Sequence, residues 1–413
     1  MVTIPVNLGP VRTAVPEWPV GALDVPELLR RGVWRPVPFQ EFVVKVHSRC
    51  NLACDYCYMY EMADQGWRDQ PRVMAPEVMA RVAARIAEHA HAHELPVVKV
   101  VLHGGEPLLA GPVGLRRFVG MVREAVEPRS AVRFAVQTNG VLLDERHLPV
   151  LLEHGVRIGV SVDGGRADND RHRRFPNGRG SFDAVAEGIG RLTQEPYRRL
   201  FSGILCTIDL ENDPVETYQA LLGFGPPALN FLLPHGNWSS PPPGRTAGAA
   251  TPYADWLIAV FDAWCASHRR PTRIRMFESI VSLVAGGTTA QEDLGLAPVS
   301  LLVVETDGTF EQVDSLKSTF DGAAGTGASV WSHSLDDVLR HPGVVARQIG
   351  AEALCQTCRA CPIQRVCGGG LYTHRYRAGH GFLNPSVYCA DLAKLIRHVT
   401  ERLLVDLRQR VGA

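Results

Sequence analysis

Eight of the ten cysteines in this 413-residue chain fall into two groups, and sulfur at that density is the chemistry to explain first. Cys50, Cys54 and Cys57 share a single eight-residue stretch. Cys355, Cys358, Cys361 and Cys367 follow at short intervals near the carboxyl end, with Cys389 beyond them. Thiolate holds zinc or iron-sulfur clusters, and a four-iron cube takes four such ligands. A loop that offers three leaves one iron open to an external ligand, which is how catalytic metal sites differ from closed structural ones. For the first group the competing arrangement is a zinc knuckle that borrows a distant fourth ligand such as His47. Four or more neighbouring thiols imply a closed site, of zinc or of iron and sulfur, for the second. Cys206 and Cys265 stand alone and read as packing residues.

The elements that must position these groups follow from the apolar pattern. Six β-branched or apolar runs, 42–46, 97–102, 132–137, 156–162, 201–208 and 228–233, alternate with amphipathic stretches, the signature of a parallel sheet wrapped by helices. Val78, Val82 and Ile86 form one helical stripe, and Leu115, Phe118, Val119 and Val122 another. Six βα units in about 200 residues make a partial (β/α)6 barrel rather than an eightfold one. The first thiol group directly follows the first strand, at the carboxyl edge where parallel α/β folds bind ligands. An irregular Pro- and Gly-rich loop begins at Gly236, and a helix over 253–267 buries Trp256, Val260 and Trp264. The division expected is an N-terminal extension (1–40), the barrel (41–240), a linker with a helical bridge (241–297) and a cysteine-bearing domain (298–413).

Forty-three basic and 43 acidic side chains cancel, which removes the electrostatic footprint of a nonspecific nucleic-acid or polybasic membrane binder. No basic segment followed by an apolar core opens the chain, and no apolar run reaches about 18 residues. A cytoplasmic chain with reduced thiols, no nucleic-acid partner and no membrane partner is expected.

The loop Cys50-x3-Cys54-x2-Cys57 resembles that of the radical S-adenosylmethionine (SAM) superfamily, and the resemblance extends further. His103-Gly104-Gly105-Glu106-Pro107 ends the second strand and is similar to the GGEP motif of that superfamily. The resemblance implies a 4Fe-4S cluster on Cys50, Cys54 and Cys57, with S-adenosylmethionine as cosubstrate on the open iron. It implies Tyr56 near the adenine, and Gly104, Gly105 and Glu106 toward the methionine ammonium. Gln137 and Asn139 in Gln137-Thr138-Asn139-Gly140, and Ser161 at the end of the fourth strand, belong to the same pocket, with Gln137 and Ser161 toward ribose or carboxylate. Arg173 matches an arginine aimed at the methionine carboxylate, with Arg171 and Arg174 equally near in sequence.

Cys358-x2-Cys361-x5-Cys367-Gly-Gly-Gly with the late Cys389 resembles the SPASM extension, which carries auxiliary iron-sulfur clusters. Leu371 and Val313 stand where a full SPASM region has cysteines, so the resemblance implies one auxiliary cluster, on Cys358, Cys361, Cys367 and Cys389. Cys355 is a neighbour or a substitute ligand. Asp314, next after Val313, matches the general base of sulfatase-maturing relatives. Stretches from Cys50 to Trp67, Leu102 to Leu109, Leu232 to Trp238 and Cys367 to Tyr376 resemble the FxsB group of peptide maturases. That likeness implies a cyclophane crosslink between an aromatic ring and a β-carbon in a ribosomally made precursor peptide, with a small flavodoxin- or ferredoxin-type protein as electron donor. The loop 236–248 would line a peptide channel, and 41 residues before the first strand are too few for an appended winged-helix recognition domain. Thioether formation, oxidation of formylglycine type and epimerisation are the alternatives on the same machinery. A non-enzymatic iron-sulfur carrier or scaffold is the alternative of another class, and it has no use for a nucleoside pocket.

Overall fold

The computed structural model describes residues 18–245, 250–267 and 270–411, the last six of these by backbone alone. The six expected strands are present as β1 (Glu41–His47), β2 (Val97–Gly104), β3 (Ala131–Thr138), β4 (Arg157–Ser161), β5 (Phe201–Thr207) and β6 (Ala228–Leu232). Each pairs in parallel with the next. Helices connect them as the stripes require: Pro76–Ala92 buries Val78, Val82 and Ile86, and Gly111–Val126 buries Leu115, Phe118, Val119 and Val122. Parallel strands need such crossovers, and the helices then shield the strand faces from water.

The sheet does not stop at six strands. Its order is β10-β9-β8-β1-β2-β3-β4-β5-β6-β7, with β7 (Arg273–Ile274) added beside β6. β8 (Leu301–Val304) pairs in parallel with β1, and β9 (Thr309–Glu311) and β10 (Gly325–Ser329) extend that edge antiparallel. One continuous sheet therefore joins the two cysteine-bearing parts of the chain, and β1 lies at the seam.

Successive side chains of a strand face opposite ways. In β1, Phe42, Val44 and Val46 are buried in the main core with Val78, Val82 and Ile86. Lys45, on the other face, is just 1% exposed. The helix Pro252–Ala266 buries Trp256, Val260 and Trp264 as core, and Cys206 is buried in that same core. Cys265 is half-buried against it. A separate aromatic cluster of Tyr372, Tyr376 and Phe382 packs with Leu316, Trp18 and Val313. The described part of the N-terminal extension docks on the C-terminal region, where Trp34 Nε1 donates to Gln348 Oε1 at 3.1 Å. Among the described residues no helix is long and apolar enough to cross a membrane.

Candidate active site

The loop after β1 carries Cys50, Cys54 and Cys57 at the carboxyl edge of the sheet, and the end of β2 is shaped to receive it. Gly104 has φ of 143°, and a Cβ there would sit 2.0 Å from the His47 carbonyl oxygen. A Cβ on Gly105 would sit 2.0 Å from Tyr60 Oη and 2.4 Å from the Arg49 carbonyl carbon. Two glycines are required because the cysteine loop's own backbone passes against this strand end. Gly105 N donates to His47 O at 3.0 Å, and Glu106 N to Arg49 O at 3.0 Å.

The Glu106 carboxylate is fully buried and accepts from Leu108 N (3.0 Å), Thr138 Oγ1 (2.8 Å) and Asn139 N (2.8 Å). Burial pushes its carboxyl upward, against those hydrogen bonds, which favour the anion. Glu106 thus ties the ends of β2 and β3 together. Asn139 extends the tie, its Nδ2 donating to Asn51 Oδ1 at 2.7 Å and to Cys50 Sγ at 3.6 Å. Gln137 Nε2 donates to Ser161 Oγ at 2.9 Å, so these two side chains meet across β3 and β4.

Of the three neighbouring arginines, Arg173 faces the thiol loop. It is buried, and its Nη1 donates to Tyr56 Oη at 2.8 Å. Tyr56 Oη in turn donates to Asp163. Arg171 pairs with Asp209, and Arg174 Nε donates to Asp170 O at 2.7 Å. Burial pushes the Cys50 thiol up to about 12 and Cys57 up to about 11, and raises Cys54 despite Arg173. Such thiols ionise when a metal supplies the compensating charge, releasing protons as it binds.

The three thiols are not spaced for a single zinc ion, and His47 Nδ1 lies within hydrogen-bond distance of both Arg49 O (3.0 Å) and Arg49 N (3.2 Å). Among the described residues, no three thiol or imidazole donors that include a cysteine lie within 4.8 Å of one another. A single zinc with Zn–S of about 2.3 Å would draw its sulfurs to within about 4 Å. Four-iron cubes spread their thiolates more widely.

At the second group, Cys358, Cys361, Cys367 and Cys389 line one cavity of about 260 Å³, with Thr357, Ile363, Gln364, Gly369, Ser386 and Ala393 completing its wall. That is room for several waters' worth of matter, hence for a cluster rather than a lone ion. Cys355 stands outside this lining and shares a hydrogen bond with Cys358. Val313 packs on the aromatic cluster of Tyr372, Tyr376 and Phe382.

A buried ionic network joins β1 to β9 and to the residues that follow β8 and β9. Lys45 Nζ pairs with Asp314 Oδ1 at 2.6 Å and Glu305 Oε1 at 2.5 Å, and Lys317 Nζ with Glu311 at 2.7 Å and Glu305 at 3.2 Å. Burial opposes the Lys45 charge, but Asp314, Glu305 and Glu311 outweigh it and hold its pKa well above the ordinary value. Burial also acts on Glu305, yet the two lysines hold it down, whereas burial pushes Glu311 up. His103 Nδ1 lies 3.8 Å from Asp314 Oδ2, too far for a hydrogen bond, and has no other partner. Nearby, the Tyr58 and His235 rings meet edge to face at 4.6 Å, and His374 lies 6.1 Å beyond His235. His235 Nδ1 and both ring nitrogens of His374 are buried without a partner, and burial keeps both imidazoles from charging. The loop carrying His235 is stitched to the C-terminal region by Asn237 Nδ2 to Ser318 O (3.1 Å) and Trp238 Nε1 to Pro385 O (2.7 Å). Residues 246–248 of the expected channel loop lie outside the described residues.

Sequence reasoning missed Lys45. The signal was there, since a lysine inside the apolar run Phe42–Val46 cannot be left unpaired in a buried strand.

Residues 44–221, from within β1 into the helix Pro214–Leu222, match the sequence profile of the Radical SAM superfamily. Enzymes of this class use a 4Fe-4S cluster with S-adenosylmethionine as cosubstrate. Its relatives narrow the comparison. The chain is 24% identical over 363 residues to the serine-type anaerobic sulfatase-maturating enzyme of Klebsiella pneumoniae, covering 86% of each chain. It is 23% identical over 374 residues to the cysteine-type enzyme of Clostridium perfringens, covering 89% of this chain and 98% of the other. In fold it is similar to native anSMEcpe with bound AdoMet and Cp18Cys peptide, with a TM-score of 0.75 at 21% identity over 90% of this chain and 99% of that one. It is also similar to Streptococcus suis SuiB bound to precursor peptide SuiA, with a TM-score of 0.53 at 11% identity over 87% and 77%. At these identities the structural likeness carries the fold alone.

Proposed function

We propose that the protein is a peptide maturase that joins an aromatic ring carbon to a side-chain β-carbon of a ribosomally made precursor peptide. The observation that carries this reading is Asp314, buried, held by Lys45, and turned toward His103 at the end of β2. Cys50, Cys54 and Cys57 would hold the cluster, with Tyr56, Gly104, Gly105, Glu106, Gln137, Asn139, Ser161 and Arg173 around the cosubstrate. When bound and reduced by one electron, that cofactor pair supplies hydrogen-atom abstraction at the substrate carbon. The chain's own residues do the rest. His103, His235 and His374 bring neutral, buried and unpartnered imidazole nitrogens into this region. Asp314 accepts the proton that the substituted ring must lose to recover aromaticity, while Lys45 fixes the carboxylate's position. Cys358, Cys361, Cys367 and Cys389 would hold an auxiliary cluster able to take up the accompanying electron, and a small flavodoxin- or ferredoxin-type protein would supply the reducing electron.

A second reading, oxidation of a serine or cysteine side chain to an aldehyde, is favoured by the likeness to sulfatase-maturating enzymes over 86% of the chain. Mass spectrometry of the peptide encoded by a short reading frame beside this gene, co-expressed with the protein, separates the two. A crosslink removes two hydrogens and leaves a span that resists fragmentation, whereas an aldehyde reacts with a hydrazide probe. Asp314→Asn is expected to lower crosslinked product by about 100-fold or more while 5'-deoxyadenosine is still formed. A variant that crosslinks at the unmodified rate removes Asp314 from the reaction.

A further inference from the structure

Arg375 ends the 3-10 turn Tyr372–Arg375 and is 7% exposed. Its Nη2 donates to the carbonyls of Gly368 and Gly370 at 2.7 Å each, and its Nε to Gly369 O at 3.1 Å. The glycine loop is built around this fork. Gly368, Gly369 and Gly370 all have left-handed φ, at 60°, 82° and 68°. A Cβ on Gly368 would lie 1.7 Å from Gly295 O, and one on Gly369 would lie 3.0 Å from Arg375 Cζ. Only glycine turns three consecutive carbonyls onto one guanidinium in this space.

Carbonyl dipoles solvate the cation but do not neutralise it, and a buried charge without a counter-charge is costly. Among the described residues no carboxylate lies within ion-pair distance of Arg375, and Glu292 is already paired with Arg347 at 2.9 Å. Burial works against the Arg375 charge, and Tyr372, then Cys358 and Cys367, and last Glu292, favour it. The same loop directs Gly369 N–H at the Cys367 sulfur and places Gly369 in the wall of the four-thiol cavity. A four-iron cube with four thiolates carries net negative charge and gains more on reduction.

We infer that Arg375 is the counter-charge of the auxiliary cluster held by Cys358, Cys361, Cys367 and Cys389, raising its reduction potential and fixing the Gly368–Gly370 loop against it. This rests on reading the second thiol group as an iron-sulfur site. Potential in such clusters is set by nearby charge, hydrogen bonds to sulfur and exposure, and Arg375 governs the first two. It is a positioning residue, remote from the substrate.

The test is a redox titration, followed by electron paramagnetic resonance, of the full chain loaded with iron and sulfide, as wild type, Arg375→Lys and Arg375→Gln. Arg375→Gln is expected to shift the one-electron reduction equilibrium of the auxiliary cluster at least tenfold toward the oxidised form, about 59 mV more negative. Arg375→Lys, which keeps the charge and loses the fork, is expected to shift it by less than half as much. A Gln variant at the wild-type potential, or a Lys variant that falls as far as Gln, overturns the inference. If the Gln variant does not load, the Lys variant decides: a shift under about threefold supports a role for charge, and a full tenfold shift with charge retained refutes it. Iron content separates the two layers of argument. Wild type with about four irons per chain rather than about eight removes the auxiliary cluster itself, whereas eight irons with an unmoved potential removes Arg375 alone.

Discussion

The two thiol groups differ in what completes them. The first offers three cysteines on one loop, and the groups around them are hydrogen-bonded side chains from the ends of β2, β3 and β4. The second offers four cysteines around one cavity, which Ile363, Ala393 and Gly369 share with Thr357, Gln364 and Ser386, with a buried guanidinium behind it. Three thiols would leave a coordination position open on a four-iron cube, whereas four thiols would leave none. The difference teaches that ligand count separates the two regions: an open cluster is suited to chemistry on a bound cosubstrate, and a closed one to storing or relaying electrons.

The sharpest way to break this comparison is to remove ligands from each side separately. Cys54→Ala is expected to abolish 5'-deoxyadenosine formation while leaving about four irons per chain on the second site. Cys367→Ala is expected to leave about four irons on the first site and to retain measurable 5'-deoxyadenosine while losing product. Iron analysis and chromatography of the nucleoside check both. If Cys367→Ala abolished the nucleoside and Cys54→Ala spared it, the roles assigned to the two regions would be reversed.

A smaller effect is expected from the network that joins the regions. Lys45 lies in β1, next to the strand end that launches the first thiol loop, yet its partners Glu305, Glu311 and Asp314 belong to the later part of the chain. Lys45→Met leaves buried carboxylates uncompensated and is expected to destabilise the fold by about 3–5 kcal/mol. Combining it with Glu311→Gln should recover part of that, since Glu311 already resists ionising through burial. Denaturant unfolding of the single and double variants measures it. A loss under about 1 kcal/mol for the single variant would mean that the seam is not held by these charges.

Much of this was legible in the sequence, for identifiable reasons. The six strands of the barrel are long apolar runs, and burial on both faces leaves that mark directly on composition. Thiol spacing is equally local, so the four cysteines that line the cavity could be picked out together. Lys45 and Glu305 are different: they are 260 positions apart and meet only because β8 pairs in parallel with β1. No periodicity announces a pairing between the first strand and one so distant. The glycines of His103-Gly-Gly-Glu-Pro were legible as sites of close approach, but it is the cysteine loop's backbone at His47 and Arg49 that approaches them. Arg375 carried a weaker signal, three glycines followed at a short distance by an arginine, whose meaning depends on left-handed φ values that sequence does not display.

The smallest expected effect concerns Cys355, whose place among the ligands the spacing left open. It precedes the short helix Gln356–Arg359 as its N-cap, makes no side-chain capping hydrogen bond, and stands outside the four-thiol lining. The group it acts on is Cys358, whose thiol it helps burial to push up. A neighbour of that kind tunes a ligand without being one. Cys355→Ser keeps a donor near Cys358 and puts a favoured residue at a helix N-cap, so stability should change by no more than about 1 kcal/mol, in the stabilising direction if at all. Iron and sulfide per chain should match wild type, and the auxiliary potential should move less than threefold in its reduction equilibrium. If iron instead fell by half, Cys355 would be a ligand, and Cys389, exposed at the start of the last helix, would be the thiol to reconsider.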